Sequence, residues 1–164
     1  MPIVLLRIDE RLIHGQVVIG WANQLHPDAY IVVDDGLAAS RWEQDLYRLG
    51  AAGVGVSFFS AADALAHLDE WRTGFDRTIL LTRDIATMRR LAESGALRGE
   101  SVVVGGVHHA PGREEALTYV HLTEKELHDL EAIDAAGIEV VARDLPDAPS
   151  VELDLLKRRW NSYR

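Results

Sequence analysis

The chain has 164 residues, 48% of them hydrophobic and 26% charged, with a formal net charge of −9 and no cysteine. That is the composition of one soluble globular domain with a real core; without thiols, a disulfide scaffold, thiolate zinc sites and cysteine catalysis are excluded. The acidity argues against nonspecific binding to nucleic acid or anionic membranes, both of which need a basic footprint.

No apolar run approaches the ~20 residues needed to span a bilayer. The start, "MPIVLLRIDE", lacks a basic leader and a small-residue cleavage site. An untargeted cytosolic protein is expected.

"IVLLRI" (3–8) is a continuous apolar run suited to a strand buried on both faces. From His14 onward Val17, Val18, Trp21, Ala22 and Leu25 follow helical spacing, and Pro27 marks the stop. "AYIVV" (29–33) reads as a second strand with an acidic exit, followed by a helix through "SRWEQDLYRLG". "GVGVSFF" (53–59) is a third strand, after which Ser60 and Asp63 form a capping pair for a helix to about Arg72.

"TILL" (78–81) and "SVVV" (101–104) are further strands, separated by the helix "DIATMRRLAESG". A short strand near "TYVHL" precedes a capping box of Thr123 and Glu126 for a helix over 124–136, with Gly137 as its terminator and "IEVVA" (138–142) as the next strand. The last stretch reads both ways: Val151, Leu153 and Leu155 alternate like a strand, whereas Leu156 and Trp160 suit a helix. This alternation predicts an α/β fold, a single domain over 1–164 with an open, mainly parallel β-sheet and helices on both faces.

In such sheets ligands bind beyond the carboxyl ends of the strands, near a topological switch point. The residues there are 9–14, 34–35, 60, 82–84 and 105–109. Arg11 and Arg83 bring positive charge to that end of an acidic protein, and Gly105 and Gly106 allow close backbone approach. An anion-binding pocket follows.

His14 falls at a helix start, where unpaired N–H groups and the dipole favour an anion. A neutral imidazole is a competent nucleophile toward phosphorus. Arg11, three residues upstream, suits the oxygens of a transferring phosphoryl group, and Asp9 suits holding the ring or Arg11. On spacing alone the same residues also describe an ordinary helix start with surface charges. His108 and His109 lack the partners of a recognisable metal set. Neither GxGxxG nor GxxxxGK[ST] occurs, so a nucleotide-binding reading lacks its main support.

The stretch "RIDERLIHGQVV" resembles the active-site signature of the IIB component in the mannose/fructose/sorbose class of the bacterial phosphoenolpyruvate:sugar phosphotransferase system. The family pattern, close to R-[IV]-D-[DE]-R-L-[IV]-H-G-Q-V, is matched by Arg7, Ile8, Asp9, Glu10, Arg11, Leu12, Ile13, His14, Gly15, Gln16 and Val17. "IVVDDGLA", "ILLTRDIATMRRLAESG", "VVVGGVHHAPGRE" and "AAGIEVVARDLP" resemble later family segments, so the likeness spans the whole chain.

The resemblance implies a cytoplasmic phosphocarrier, peripherally associated with a membrane transporter and using neither metal nor cofactor. It would accept a phosphoryl group from a phosphohistidine on a IIA component and pass it to a hexose bound by membrane IIC and IID components. His14 matches the phosphoacceptor, with attachment through Nδ1. Arg11 matches the residue that stabilises the transferring group, and Asp9 an orienting residue. Gln16, Gly15, Glu10, Arg7, Arg83 and His108 are carried over as phosphate- or partner-binding positions, and the amides between Asp9 and His14 as the cradle.

The same resemblance implies a shallow site with a modest apolar rim, and leaves a homodimer open. Val107, His108 and His109 stand where Met-His and an aromatic are usual. A stand-alone regulatory phosphocarrier, which signals phosphorylation state without sugar transport, is the competing reading.

Overall fold

The computed structural model describes residues 2–162, and the side chains of residues 16–18 are not part of that description. The chain runs β1 (Ile3–Ile8), α1 (Gly15–Leu25), β2 (Ala29–Val33), α2 (Asp35–Ala38), α3 (Arg41–Leu49), β3 (Gly55–Phe59), α4 (Ala61–Leu65) and α5 (Leu68–Thr73). It continues through β4 (Thr78–Thr82), α6 (Ile85–Ala92), β5 (Ser101–Val104), β6 (Glu114–Leu117), β7 (Val120–Leu122), α7 (Glu124–Ala135), β8 (Glu139–Ala142), β9 (Val151–Glu152) and α8 (Leu153–Asn161).

Seven strands form one sheet in the order β3-β2-β4-β1-β5-β8-β9. The first six are parallel and β9 alone runs antiparallel, beside β8. From β1 the chain moves outward to β2 and β3, then returns to β4 and crosses β1 to reach β5 and β8. Because parallel crossovers are right-handed, these opposite directions of travel put helices on opposite faces.

Packing follows that rule. One layer joins Leu5, Tyr30, Val32 and Leu81 to Leu12, Trp21 and Leu37 on the α1 side. The other joins Leu6, Ile8, Ile31 and Val104 to Ala64, Leu68, Met88, Leu130 and Trp160. The switch point therefore lies at the carboxyl end of β1, between β4 and β5.

The capping box at Thr123 is complete, Glu126 N–H donating to Thr123 Oγ1 (3.0 Å) and Thr123 N–H to Glu126 Oε1 (2.9 Å). Gly137 takes φ +86°, as a helix terminator requires. The helix expected to run to Arg72 is instead two: Ala66 and His67 N–H groups donate three residues back, to Asp63 and Ala64, which tightens the turn. A new helix then starts at Leu68, with Asp69 and Glu70 in its first turn, where the dipole favours acids.

The acidic exit of β2 is also more ordered than expected, because Asp34 accepts Leu37 N–H at 3.0 Å and caps α2. β6 pairs with β7 in a separate hairpin, and the ambiguous C-terminal stretch is both things in turn, a two-residue strand and then a helix.

Candidate active site

Side chains alternate along β1, so Leu6 and Ile8 enter one layer while Leu5 and Arg7 enter the α1-side layer. Arg7 is wholly enclosed, with its guanidinium 5.4 Å from the Trp21 ring centroid. A buried charge needs partners. Nη1 donates to Arg143 O (2.8 Å), and Nη2 to Asp144 O (3.0 Å) and Asp9 Oδ2 (3.1 Å). Asp9, equally buried, also takes three bonds from Arg11: N–H and Nε to Oδ1 at 3.0 and 3.1 Å, and Nη2 to Oδ2 at 3.1 Å. One carboxylate thus aligns two arginines.

The β1–α1 loop is stitched to both neighbouring strand ends, Asp9 N–H donating to Thr82 O (3.0 Å) and Glu10 N–H to Gly106 O (2.8 Å). Leu12 N–H donates back to Asp9 O at 3.0 Å, which forces Leu12 to φ +57° with its side chain fully buried. A leucine in that region is strained, so packing must hold the loop in shape.

Gly105 and Gly106 are required by this cluster rather than by an incoming ligand. A Cβ on Gly105 would strike the Arg7 guanidinium and lie 2.6 Å from Asp9 Oδ2; one on Gly106 would lie 3.0 Å from Arg11 Nε and Nη2 and from His108 Nε2.

His14 is the N-cap of α1, half-buried and with extended backbone at φ −156°, and its side chain makes no capping bond. Nε2 is buried and has no hydrogen-bond partner among the described residues. Burial pushes the ring below its ordinary pKa of 6.5; the charges of Arg11 and Arg7 add to this, and Asp9 and Asp144 oppose it in part. The balance favours the neutral ring. Burial raises the Asp9 carboxyl, but the bonds from Arg11 and the charge of Arg7 hold it below its ordinary value overall. Arg11 is raised, chiefly by its bond to Asp9. About a third of its side chain is exposed, and Nη1 has no hydrogen-bond partner among the described residues.

Other expected positions fall elsewhere. Arg7 lies beneath the loop, so direct contact with a phosphate or partner is replaced by support of Asp9. Glu10 is a tie rather than an anion contact: it accepts His108 N–H and binds Arg113 Nη1 (3.0 Å), while Arg113 grips Glu126 through Nε (2.9 Å) and Nη2 (2.8 Å). His108 stands at the rim, with Nδ1 3.4 Å from Glu10. Arg83 points to α3, donating to Tyr47 Oη at 3.4 Å. Gly15 takes φ +27° with open space around it, and the Gln16 side chain lies outside the described residues.

Sequence reasoning missed Asp144. Its carbonyl accepts from Trp21 Nε1 (3.0 Å) and Arg7, and its carboxylate lies 3.6 Å from Arg11 Nη2. The available signal was its place just past β8, a strand end like those that were inspected.

The fold is thus an open, mainly parallel α/β sheet whose switch point gathers a histidine, a partly exposed arginine and a helix N-terminus. The family model described as "PTS system sorbose subfamily IIB component" matches residues 3–162. This chain belongs to that family, the sugar-specific, phosphotransferase-system IIB components, which are transferases.

It is 31% identical, over 88% of its length and 91% of the relative's, to the N-acetylgalactosamine-specific phosphotransferase enzyme IIB component 1 of Escherichia coli K12. It is 30% identical to the mannose-specific EIIAB component of the same organism, covering 96% of this chain but only 49% of that longer protein. Among solved structures, manxB from Thermoanaerobacter tengcongensis superimposes with a TM-score of 0.84 at 29% identity, over 96% of both chains. The IIBSor domain of the sorbose permease from Klebsiella pneumoniae gives 0.86 at 25% identity, over 96% of this chain and 98% of that one.

Proposed function

We propose that this chain accepts a phosphoryl group on His14 Nδ1 from a phosphohistidine of a IIA component, and passes it to a sugar held by membrane IIC and IID components at the cytoplasmic face. The observation that carries this reading is His14 itself: a ring at a helix N-terminus, held toward its neutral form by burial, with Nε2 enclosed so that Nδ1 is the nitrogen left to carry the group.

In the step, the Nδ1 lone pair attacks phosphorus and the P–N bond to the donor ring breaks. The donor imidazole leaves with that electron pair, and His14 keeps its proton on Nε2. Arg11 Nη1 meets the charge on the oxygens, held in register by Asp9, so catalysis rests on positioning and electrostatics. Onward transfer is the matching displacement by a sugar hydroxyl, whose proton is lost to solvent.

Apolar surface flanks the loop. Ile19 on α1 and Trp42, Leu46 and Leu49 on α3 are exposed, and the residue that ends α3, Gly50, packs against Ile13. A small apolar rim suits brief docking with partners better than a permanent interface.

The test supplies phosphoenolpyruvate, the general phosphotransferase proteins and a cognate IIA. One acid-labile, base-stable phosphoryl group per chain is expected, and none on His14→Ala; equal labelling of that variant would sink the reading. Arg11→Ala should fold normally and label about a hundredfold more slowly.

A further inference from the structure

Asp144 Oδ1 is buried and accepts no hydrogen bond, although it lies 3.6 Å from Arg11 Nη2 and 3.9 Å from Arg7 Nη2. A buried carboxylate oxygen left in that state calls for an explanation. Its position is fixed by the backbone, since the Asp144 carbonyl is pinned by Trp21 Nε1 and Arg7 Nη2. That anchors the backbone from which the carboxylate reaches Arg11.

The guanidinium of Arg11 has two edges to offer. The Nε/Nη2 edge is filled by Asp9. The outer edge, Nη1 with the second proton of Nη2, is the one that grips a phosphate in two-pronged fashion. Asp144 Oδ1 lies 3.6 Å from Nη2, the nitrogen that both edges share. A phosphoryl group on His14 thus finds Nη1 unbonded and Nη2 contested by a negative charge.

We propose that Asp144 is a positioning residue that competes with the phosphoryl group for Arg11, and so sets how loosely His14 holds that group. This rests on His14 being the phosphoacceptor. A carrier is useful only if it releases its load as readily as it takes it, and a fixed carboxylate beside the gripping arginine weakens the grip on a dianion without removing the arginine. Four charges, Arg7, Asp9, Arg11 and Asp144, form the field around the ring, and of the two carboxylates Asp144 is the loosely held one, with Oδ1 3.6 Å from Arg11 where Asp9 is bonded at 3.0–3.1 Å.

The experiment compares the parent with Asp144→Asn, Asp144→Ser and Asp144→Glu. What changes in each is the long 3.6 Å contact with Arg11 Nη2, while the backbone bonds at Asp144 remain. Each is loaded from a phosphorylated IIA, and the phosphoryl equilibrium between the two proteins and the lifetime of phospho-His14 are measured, with the His14 ring titration followed by NMR.

Removing the charge should move the equilibrium about tenfold toward His14 and lengthen the lifetime similarly. It should also lower the titration midpoint of the unloaded ring, and Asp144→Glu should restore parent behaviour. Equilibrium and lifetime within twofold of the parent in both Asn and Ser variants would overturn the proposal, as would a Glu variant that behaves like Asn. If the parent takes up no phosphoryl group, the phosphoacceptor reading itself has failed, and the role of Asp144 falls with it. A loss of fold without a change in partition would mark Asp144 as merely structural.

Discussion

At the scale of single residues, the loop depends on one buried ion pair more than on its exposed members. Arg7 and Asp9 are both fully enclosed at 3.1 Å, so removing one strands the other in a medium that cannot solvate it. Arg7→Met should cost about 3–5 kcal/mol of stability in urea unfolding. Adding Asp9→Asn should recover part of that loss, because the stranded charge is gone. A single variant as stable as the parent would show that Arg11 alone suffices for Asp9.

The sequence reading placed His14, Arg11 and Asp9 at the head of a helix from element order and the family signature. It could not see that Arg7 points inward, because a one-residue change in strand phase exchanges a surface charge for a core charge. Nor could it see Asp144, which arrives from a strand two places away in the sheet. Gly105 and Gly106 were read as room for backbone approach, and the room is there, filled by Arg7, Asp9 and Arg11.

Among elements, Glu126 carries two duties. It closes the capping box of α7 and it holds Arg113, which in turn holds Glu10 of the β1–α1 loop. Thr123→Ala removes only the cap and should cost about 1 kcal/mol. Glu126→Ala should cost more and should also slow phosphoryl uptake, since the Glu10 tie is loosened; equal effects on stability and uptake from the two changes would refute the link. The cap was legible because its residues are three apart in sequence, while the tie spans more than a hundred residues and leaves no local pattern. The split between α4 and α5 was likewise hidden, since two consecutive short-range bonds, not a proline or glycine, make the break.

For the molecule as a whole, acid should destabilise in two stages. The folded state holds His14 below its ordinary 6.5, so as pH falls through that value the unfolded chain takes up the proton first and stability begins to decline. Asp9 and Glu126 are held below their ordinary 3.8 and 4.5, so the stability they contribute is present above those values. It is lost as pH falls through the lower folded-state ones. Urea midpoints between about pH 8 and pH 3 should show a shallow loss followed by a steep one. His14→Gln should flatten the shallow part and spare the steep part; an unchanged profile would mean that His14 ionises alike in both states. The architecture behind this was readable from strand and helix alternation. The strand order was not, yet it is what brings the ends of β1, β4, β5 and β8 to one place.

The opening of α1 has a last consequence. His14 gives the helix no side-chain cap, and the first turn holds no acidic residue, so nothing negative from the protein meets the positive end of its dipole there. A dianion on Nδ1 would stand where the cap is missing. The loaded protein would then exchange its first-turn amide hydrogens more slowly than the empty one. With His14 as the phosphoacceptor, charge state and local rigidity would become one variable, the unloaded form being the looser of the two.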